Sequence, residues 1–327
     1  MRSLVLVLCF VVLVVGKTNP RHTISWDHFW TQEEIEEYMH ELVEHYPDIA
    51  TLETIGTSTE GRDIDAILVS YGTNANKPLV VIDAGLRARE WVSPMMAMFV
   101  LHELVEHPEQ FSDILAEVNF LVIPLVNPDG YVYSHETDRN WIKSRSDNGN
   151  GCYGVDLNRN FDYQWGTVGV SSDPCADNFA GSAALSEPET QAIRDTVSRY
   201  ATNLKLYLSV QAASKKVLYP FSYNGQRTPS NAAEHSTVAQ MVARTMMGQH
   251  GYIYTYGPAG MLLPVESGTV TDFVSGTYTP QYTFVLETRG GTDNEYELPE
   301  DKLSEVLYET AAGLKVLGEY VAGIRSV

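Results

Sequence analysis

Short apolar runs alternate with longer amphipathic stretches along this chain. The runs are rich in β-branched residues, and we predict strands at residues 66–71, 79–84, 119–125, 205–210 and 282–286. The amphipathic stretches predict helices at residues 26–46, 94–106, 187–200, 231–249 and 301–324. The third of these helices is expected to begin with a capping box of Ser186 and Glu189. Strands that alternate with helices indicate a single α/β domain, with a mixed, mostly parallel central sheet flanked by helices.

The segments that follow four of the predicted strands are the expected places for functional residues. Ligand sites of parallel sheets lie beyond the carboxyl ends of the strands. We therefore expect the functional residues after Ala84, Leu125, Val210 and Leu286.

Composition and charge narrow the classes of partner. Of the 327 residues, 44% are hydrophobic and 20% are charged, which is ordinary for a globular domain that buries a core. The formal net charge is -20, so electrostatic repulsion argues against nucleic acids and membrane surfaces as partners.

The N-terminus is typical of a secretory leader. Arg2 precedes an apolar run at residues 4–15, which ends at Gly16. We predict a signal peptide at residues 1–16, a mature domain at residues 17–327, and a secreted, extracellular protein. A buried N-terminal strand is the alternative for this run.

Two cysteines remain after the leader is set aside. Cys9 lies within the predicted signal peptide, which leaves Cys152 and Cys175. In an oxidising compartment such a pair is expected to form a disulfide, and two free thiols are the alternative.

Several motifs occur in an order that points to one family. They are DAGLRAREWVSP at residues 83–94, NPDGY at 127–131, RNWIK at 139–143, GVDLNRNF at 154–161, YPF at 219–221 and the segment 282–289. Together with the spacing of Cys152 and Cys175, they resemble the zinc metallocarboxypeptidases of the pancreatic A/B type over nearly the whole mature chain. The resemblance implies about eight strands, with the active site at the carboxyl edge of the sheet. No propeptide domain is expected, because residues 26–46 already resemble the start of the mature enzyme.

The resemblance also implies a zinc site, but this chain differs from the family at two of the three ligand positions. The family holds zinc with a His, a Glu and a distant His, and the matching residues here are Arg87, Glu90 and Gln211. A guanidinium offers only donors, and a neutral amide oxygen is a weak ligand for zinc. We therefore expect no metal at these positions and no cofactor.

Three further positions differ from the family's catalytic pattern. Ile142 stands where the family has the arginine that stabilises the oxyanion. Ala213 replaces an aromatic residue, and Pro264 replaces the tyrosine that closes over substrate.

Other positions of the pattern are retained. Glu287 matches the general base, which has no activated water to act on without zinc. Asn158 and Arg159 match the pair that grips the C-terminal carboxylate of a substrate, and Arg89 matches another arginine of the site. An ion pair that supports the fold is the alternative role for each of them. Thr271 lies near the position that selects the substrate side chain.

Arg87 is expected to compensate for the missing metal. By resemblance, Asp156 orients the first histidine ligand, so Asp156, Glu90 and Glu287 would converge without a cation. The hypothesis is that the Arg87 guanidinium pairs with Asp156 and Glu90.

The string HELVEH occurs at residues 40–45 and again at 102–107. Zinc-binding helices place two histidines four residues apart, whereas these lie five apart and would be rotated by about 140° on a helix. We therefore interpret both strings as polar helix faces.

Three functions remain open. The first is a non-catalytic protein that binds the C-termini of peptides or proteins. The second is an active zinc metallocarboxypeptidase, against which Arg87, Gln211 and Ile142 argue. The third is a structural secreted protein without a ligand.

Overall fold

The computed structural model describes residues 24–72, 74, 76–291 and 296–327. The signal peptide predicted at residues 1–16 lies outside them. The described helices are α1 (Gln32–His45), α2 (Val92–Glu106), α3 (Ser112–Glu117), α4 (Pro128–Glu136), α5 (Pro188–Tyr200), α6 (Ala232–His250), α7 (Ala259–Leu262), α8 (Val270–Thr277) and α9 (Leu303–Val321). The described strands are β1 (Ala50–Thr57), β2 (Asp63–Val69), β3 (Leu79–Asp83), β4 (Asn119–Ile123), β5 (Leu204–Tyr219), β6 (Thr255–Pro258) and β7 (Tyr282–Arg289).

The strands form one mixed sheet with a parallel centre. Its order is β1-β2-β4-β3-β5-β6, and β7 pairs with β5. The pairs β1–β2 and β2–β4 are antiparallel, whereas β3 runs parallel to both β4 and β5. The predicted α/β class with a mixed sheet is therefore confirmed.

Strand β5 reverses direction partway along its length. Its residues from Leu206 to Ala213 pair with β7 in ascending order, and then Lys216, Val217 and Leu218 face β7 residues in descending order. The described residues form seven strands, and the reversal of β5 accounts for the expectation of about eight.

Helices cover both faces of the sheet. All residues of β3 and β4 are buried, as expected for strands with helices on both sides. One apolar cluster packs α1, α2, α6 and α9 on one face, and a second packs α5 and α8 on the other. Because α2 is buried almost all round, it is a core helix, and only its C-terminal end reaches the surface.

The start of α5 corrects one prediction. Glu187, not Ser186, is the N-cap residue, and no side chain caps this helix. The Glu187 carboxylate instead accepts hydrogen bonds from Ser144 and Ser146, both at 2.7 Å. The predicted capping box is absent because its two side chains bond elsewhere: Ser186 donates to Glu187 Oε1 at 2.9 Å, and Glu189 accepts from the backbone of Thr59 at 3.2 Å.

The predicted disulfide between Cys152 and Cys175 is present, with their Cα atoms 4.8 Å apart. It closes a loop with a sequence separation of 23, which stabilises the fold by about 3 kcal/mol in a chain-entropy model. Within the described ranges, no helix has the length and apolar character needed to cross a membrane.

Candidate functional site

The segments after β3, β4 and within β5 and β7 meet at one edge of the sheet, as expected. They line a cleft of about 510 Å³. The lining includes Arg87, Ile142, Ala213, Pro264 and Glu287. These five predicted positions, from distant parts of the chain, are thus brought together.

The loop after β3 is shaped so that Arg87 turns into this cleft. Gly85 has a φ of 68°, and a Cβ there would lie 2.8 Å from Leu125. Asn127, which follows β4, donates from its side chain to the carbonyls of Leu86 at 3.2 Å and Lys143 at 3.0 Å. One buried amide therefore ties two walls of the cleft together.

Arg87 lies among the acidic groups of the cleft, as hypothesised. Its Nη1 is 3.6 Å from Glu90 Oε1, and its Nε is 3.6 Å from Asp156 Oδ1. Nη1 also donates to Gln211 Oε1 at 3.4 Å. The Arg87 side chain is only 15% exposed, so its charge lies inside the cleft and not in solvent.

Gln211 belongs to a buried chain of hydrogen bonds. Its amide donates to the Ser209 hydroxyl at 3.0 Å, and Ser209 donates to Asp83 Oδ1 at 2.9 Å. Its amide oxygen faces Arg87 at the same time. Both ends of the Gln211 side chain are thus used within the protein.

Burial and mutual repulsion raise the pKa values of two acidic groups in the cleft. Burial raises the pKa of Glu90 to about 7, against the opposing effect of the Arg87 charge. Burial, followed by repulsion from Glu90, raises the pKa of Glu287 to about 7. Burial alone would lower the pKa of Arg87, but attraction by Asp156 and Glu90 holds it above its usual value. Arg87 therefore remains a cation and is the main positive charge acting on both glutamates.

The residues at the family's metal position offer few donors for zinc. Glu90 Oε1 is buried and has no hydrogen-bond partner among the described residues, so it could accept a cation. The cation beside it is the Arg87 guanidinium, which has no lone pair to offer a metal. With one carboxylate and one amide oxygen left, these residues do not fit the three-ligand zinc sites of hydrolases.

The three residues expected to grip a carboxylate occupy different places. Arg159 lines the cleft and donates from Nη2 to the carboxylate of Glu266. Arg89 also lines the cleft, and its guanidinium stacks 3.7 Å from the centre of the Tyr296 ring. Asn158 is buried outside the cleft lining, where its side-chain oxygen accepts from the backbone of Val270 at 3.1 Å.

Sequence reasoning missed two residues that touch this machinery. Ser214 donates its hydroxyl hydrogen to Glu287, and Glu266 pairs with Arg159. Neither lies in a motif, and their partners are 73 and 107 positions away along the chain. Thr271 is buried in the first turn of α8 and is not part of the cleft lining.

A second cluster of metal-ligating residue types lies at the end of α2, and it corrects the interpretation of one HELVEH string. His102, Glu103 and His107 each offer one ligand atom, and these atoms lie within 4.8 Å of one another. The prediction of two histidines turned apart is wrong here, because α2 ends at Glu106. His107 leaves the helix with φ -124° and ψ 46°, so its ring centre lies 5.0 Å from that of His102. In the first string, both His40 and His45 lie within α1, as predicted.

Comparisons with known proteins agree with the resemblance. The family model described as zinc carboxypeptidase matches residues 35–313. Carboxypeptidase B of Astacus astacus is 33% identical over 300 residues, with 91% of this chain and 98% of the relative covered. Carboxypeptidase B of Bos taurus is 34% identical over 301 residues, with 91% of this chain and 72% of the relative covered.

Two solved structures share the fold. Bovine thrombin-activatable fibrinolysis inhibitor, in complex with tick carboxypeptidase inhibitor, has a TM-score of 0.85 at 29% identity and covers 92% of this chain and 99% of its own. Carboxypeptidase A of Helicoverpa armigera has a TM-score of 0.87 at 30% identity, and the match covers 95% of this chain and 78% of that chain. The matched motifs, the sheet and the position of the cleft lead to one conclusion, that this chain belongs to the zinc carboxypeptidase family.

Proposed function

We propose that this chain is a secreted, non-catalytic carboxypeptidase-like protein that binds the C-terminal ends of peptides or proteins. The observation that carries this proposal is the Arg87 guanidinium, which lies within 3.6 Å of Glu90 and Asp156 at the family's metal position.

Arg87 takes the electrostatic place of a metal without its chemistry. Its positive charge offsets the repulsion among Glu90, Asp156 and Glu287, which supports a stable cleft without zinc. A divalent cation would meet this fixed positive charge, and of the family's three ligand positions only Glu90 and Gln211 would offer it an oxygen. The cleft is therefore not expected to hold zinc.

Peptide hydrolysis in this family depends on a metal that activates water and on a charge that stabilises the oxyanion. Without a metal, Glu287 would have no activated water to deprotonate, and Ile142 brings no positive charge to the position of the family's arginine. Its carboxylate accepts a hydrogen bond from Ser214 instead, which favours a structural role.

Binding of a carboxylate is supported by a contact within the protein. The carboxylate of Glu266 already pairs with Arg159 at the cleft wall, so the site has the space and the donors for such a group. The C-terminal carboxylate of a peptide would replace Glu266 at this guanidinium. Arg89, which lines the same cleft, adds a second positive charge.

Secretion is supported by the disulfide between Cys152 and Cys175, since such bonds persist in oxidising compartments. The leader at residues 1–16 remains a prediction from the sequence.

Hydrolysis is tested with the purified chain, zinc and a set of peptides that end in basic, aromatic or aliphatic residues. Mass spectrometry is expected to show no release of C-terminal residues. Release that stops when zinc is chelated would contradict the proposal and would establish an active metallocarboxypeptidase.

Binding is tested with each peptide in two forms, one with a free C-terminal carboxylate and one amidated. Calorimetry is expected to show tighter binding of the free acid and, because one charged pair is lost, a loss of roughly 10- to 100-fold in Arg159→Gln. Glu266→Gln removes the internal competitor and should increase affinity. Equal affinities for acid and amide in all three proteins would contradict recognition of the carboxylate, and no binding of either form would favour a structural protein without a ligand.

A further inference from the structure

We propose that His102, Glu103 and His107 form a surface site for a zinc ion at the C-terminal end of α2, distinct from the cleft. The ligand atoms of the three residues lie within 4.8 Å of one another. Two imidazoles and one carboxylate are a ligand set suited to Zn²⁺.

The end of α2 creates this geometry. His107 immediately precedes Pro108, and a residue before proline is sterically disfavoured in the helical conformation. The backbone of His107 accordingly leaves the helix and its ring returns toward His102. Both rings are accessible, since the side chains of His102 and His107 are 16% and 44% exposed.

The first HELVEH string provides an internal comparison. There the proline comes one residue later, so the helix continues through His45 and ends at Tyr46. Tyr46 has φ -127° and ψ 49°, close to the values of His107. The same six residues thus form a ligand cluster in one place and a turned-apart pair in the other.

His102 has an oxygen partner at one of its two ring nitrogens. Nδ1 of His102 lies 2.8 Å from the Tyr38 hydroxyl, which donates its single hydrogen to Glu106 Oε1 at 3.1 Å. When the hydroxyl hydrogen goes to Glu106, the hydrogen of the first contact belongs to His102 Nδ1, and the lone pair of the ring is on Nε2. Nδ1 of His107 lies 3.8 Å from Glu109 Oε1, which is too far for a hydrogen bond.

This arrangement matches the usual surroundings of a metal-binding histidine. Such histidines hold a carboxylate or another oxygen with one ring nitrogen and bind the metal with the other. Tyr38 belongs to α1, so the hydrogen bond also fixes the cluster relative to a second helix. Glu106 and Glu109 add negative charge around the proposed cation.

In the experiment, the metal-free full chain is titrated with Zn²⁺ alone, and binding is measured by calorimetry. The bound metal is then quantified after dialysis. The readout is the difference between the chain and its His107→Ala variant, so metal bound elsewhere does not affect it. Wild type is expected to bind one more equivalent of zinc than His107→Ala, with a loss of at least about 100-fold in affinity at this site.

His45→Ala is the matched control, because it removes the same residue from the same six-residue string. It should retain the equivalent that His107→Ala loses. Circular dichroism checks that both variants are folded. Equal zinc binding by wild type and His107→Ala, or equal losses in both variants, would overturn the proposal.

Discussion

The cleft at the edge of the sheet and the exposed end of α2 both gather acidic and metal-ligating residue types, but they balance charge differently. In the cleft, the Arg87 guanidinium lies between Glu90 and Asp156, so the protein supplies its own cation. At the end of α2, the cluster consists of His102, Glu103 and His107 and includes no lysine or arginine. The cleft has the family's location without its two histidine ligands, and the helix end has suitable ligands in another location. Donor atoms, not the fold, decide where a metal can bind.

The largest expected effect comes from giving the cleft its missing ligands. Arg87→His combined with Gln211→His, in a His107→Ala background, should increase zinc affinity by at least about a thousand-fold, since Glu90 then completes three ligands. Metal analysis after dialysis measures it. If the His107→Ala single variant already binds zinc as tightly as the triple variant, the cleft is not short of zinc ligands and the two regions do not differ in this respect. Hydrolysis by this variant should stay about 100- to 1000-fold below that of a variant that also carries Ile142→Arg.

Removing the cation without replacing it should destabilise the cleft. Arg87→Met leaves buried acidic groups unpaired and should lower the free energy of unfolding by about 3–5 kcal/mol, measured in urea. Adding Glu90→Gln should recover part of the loss. Arg199→Met is the control, because Arg199 is 52% exposed where it pairs with Glu53, and should cost under about 1 kcal/mol. Similar losses in both single variants would show that Arg87 does not neutralise the cleft.

The acidic groups of the cleft should also make the free energy of unfolding depend on pH. Burial raises the pKa of Glu287 from 4.5 to about 7, so the folded protein binds this proton more tightly than the unfolded chain. Its contribution to stability is complete below the unfolded pKa and is lost as pH rises through about 7. Between about pH 5 and about pH 8, wild type should lose roughly 2–3 kcal/mol more unfolding free energy than Glu287→Gln. Parallel profiles for the two proteins would contradict a raised pKa.

The smallest expected effect concerns the position of the proline that follows each HELVEH string. Pro108→Ala allows α2 to extend through His107, which should weaken zinc binding at the helix end by about tenfold. The matched control is Pro47→Ala after the first string, and calorimetry should show no change. A similar change in both variants would mean that the helix end does not position His107.

Much of the fold could be predicted from periodicity. The strands at β3, β4 and β7 and the helices α2, α6 and α9 lie close to the predicted ranges, because each has a continuous or periodic apolar pattern. Strand β1 was missed, since its burial pattern does not alternate, and β6 is short and mostly exposed. Helix α4 carries little amphipathic signal and was also missed.

The candidate site was predictable only in its residue types. Arg87, Glu90, Asp156 and Glu287 could be assigned to one cleft through the family's motifs, and their proximity follows from the sheet. The pairing of Arg159 with Glu266 could not be foreseen, because the two residues lie 107 positions apart and Glu266 is outside every motif. The same holds for Ser214 and Glu287.

The sequence alone determined which atoms are available in each region. Arginine and glutamine at positions 87 and 211 exclude the usual ligands of the cleft, and the proline at position 108 ends α2 at Glu106. The tertiary structure decided which of those atoms meet, including the contact of Arg87 with Asp156 and that of Tyr38 with His102. Ion pairs and metal ligation depend on separations of a few ångströms between residues far apart in the chain, and only packing of the helices on the sheet sets those separations.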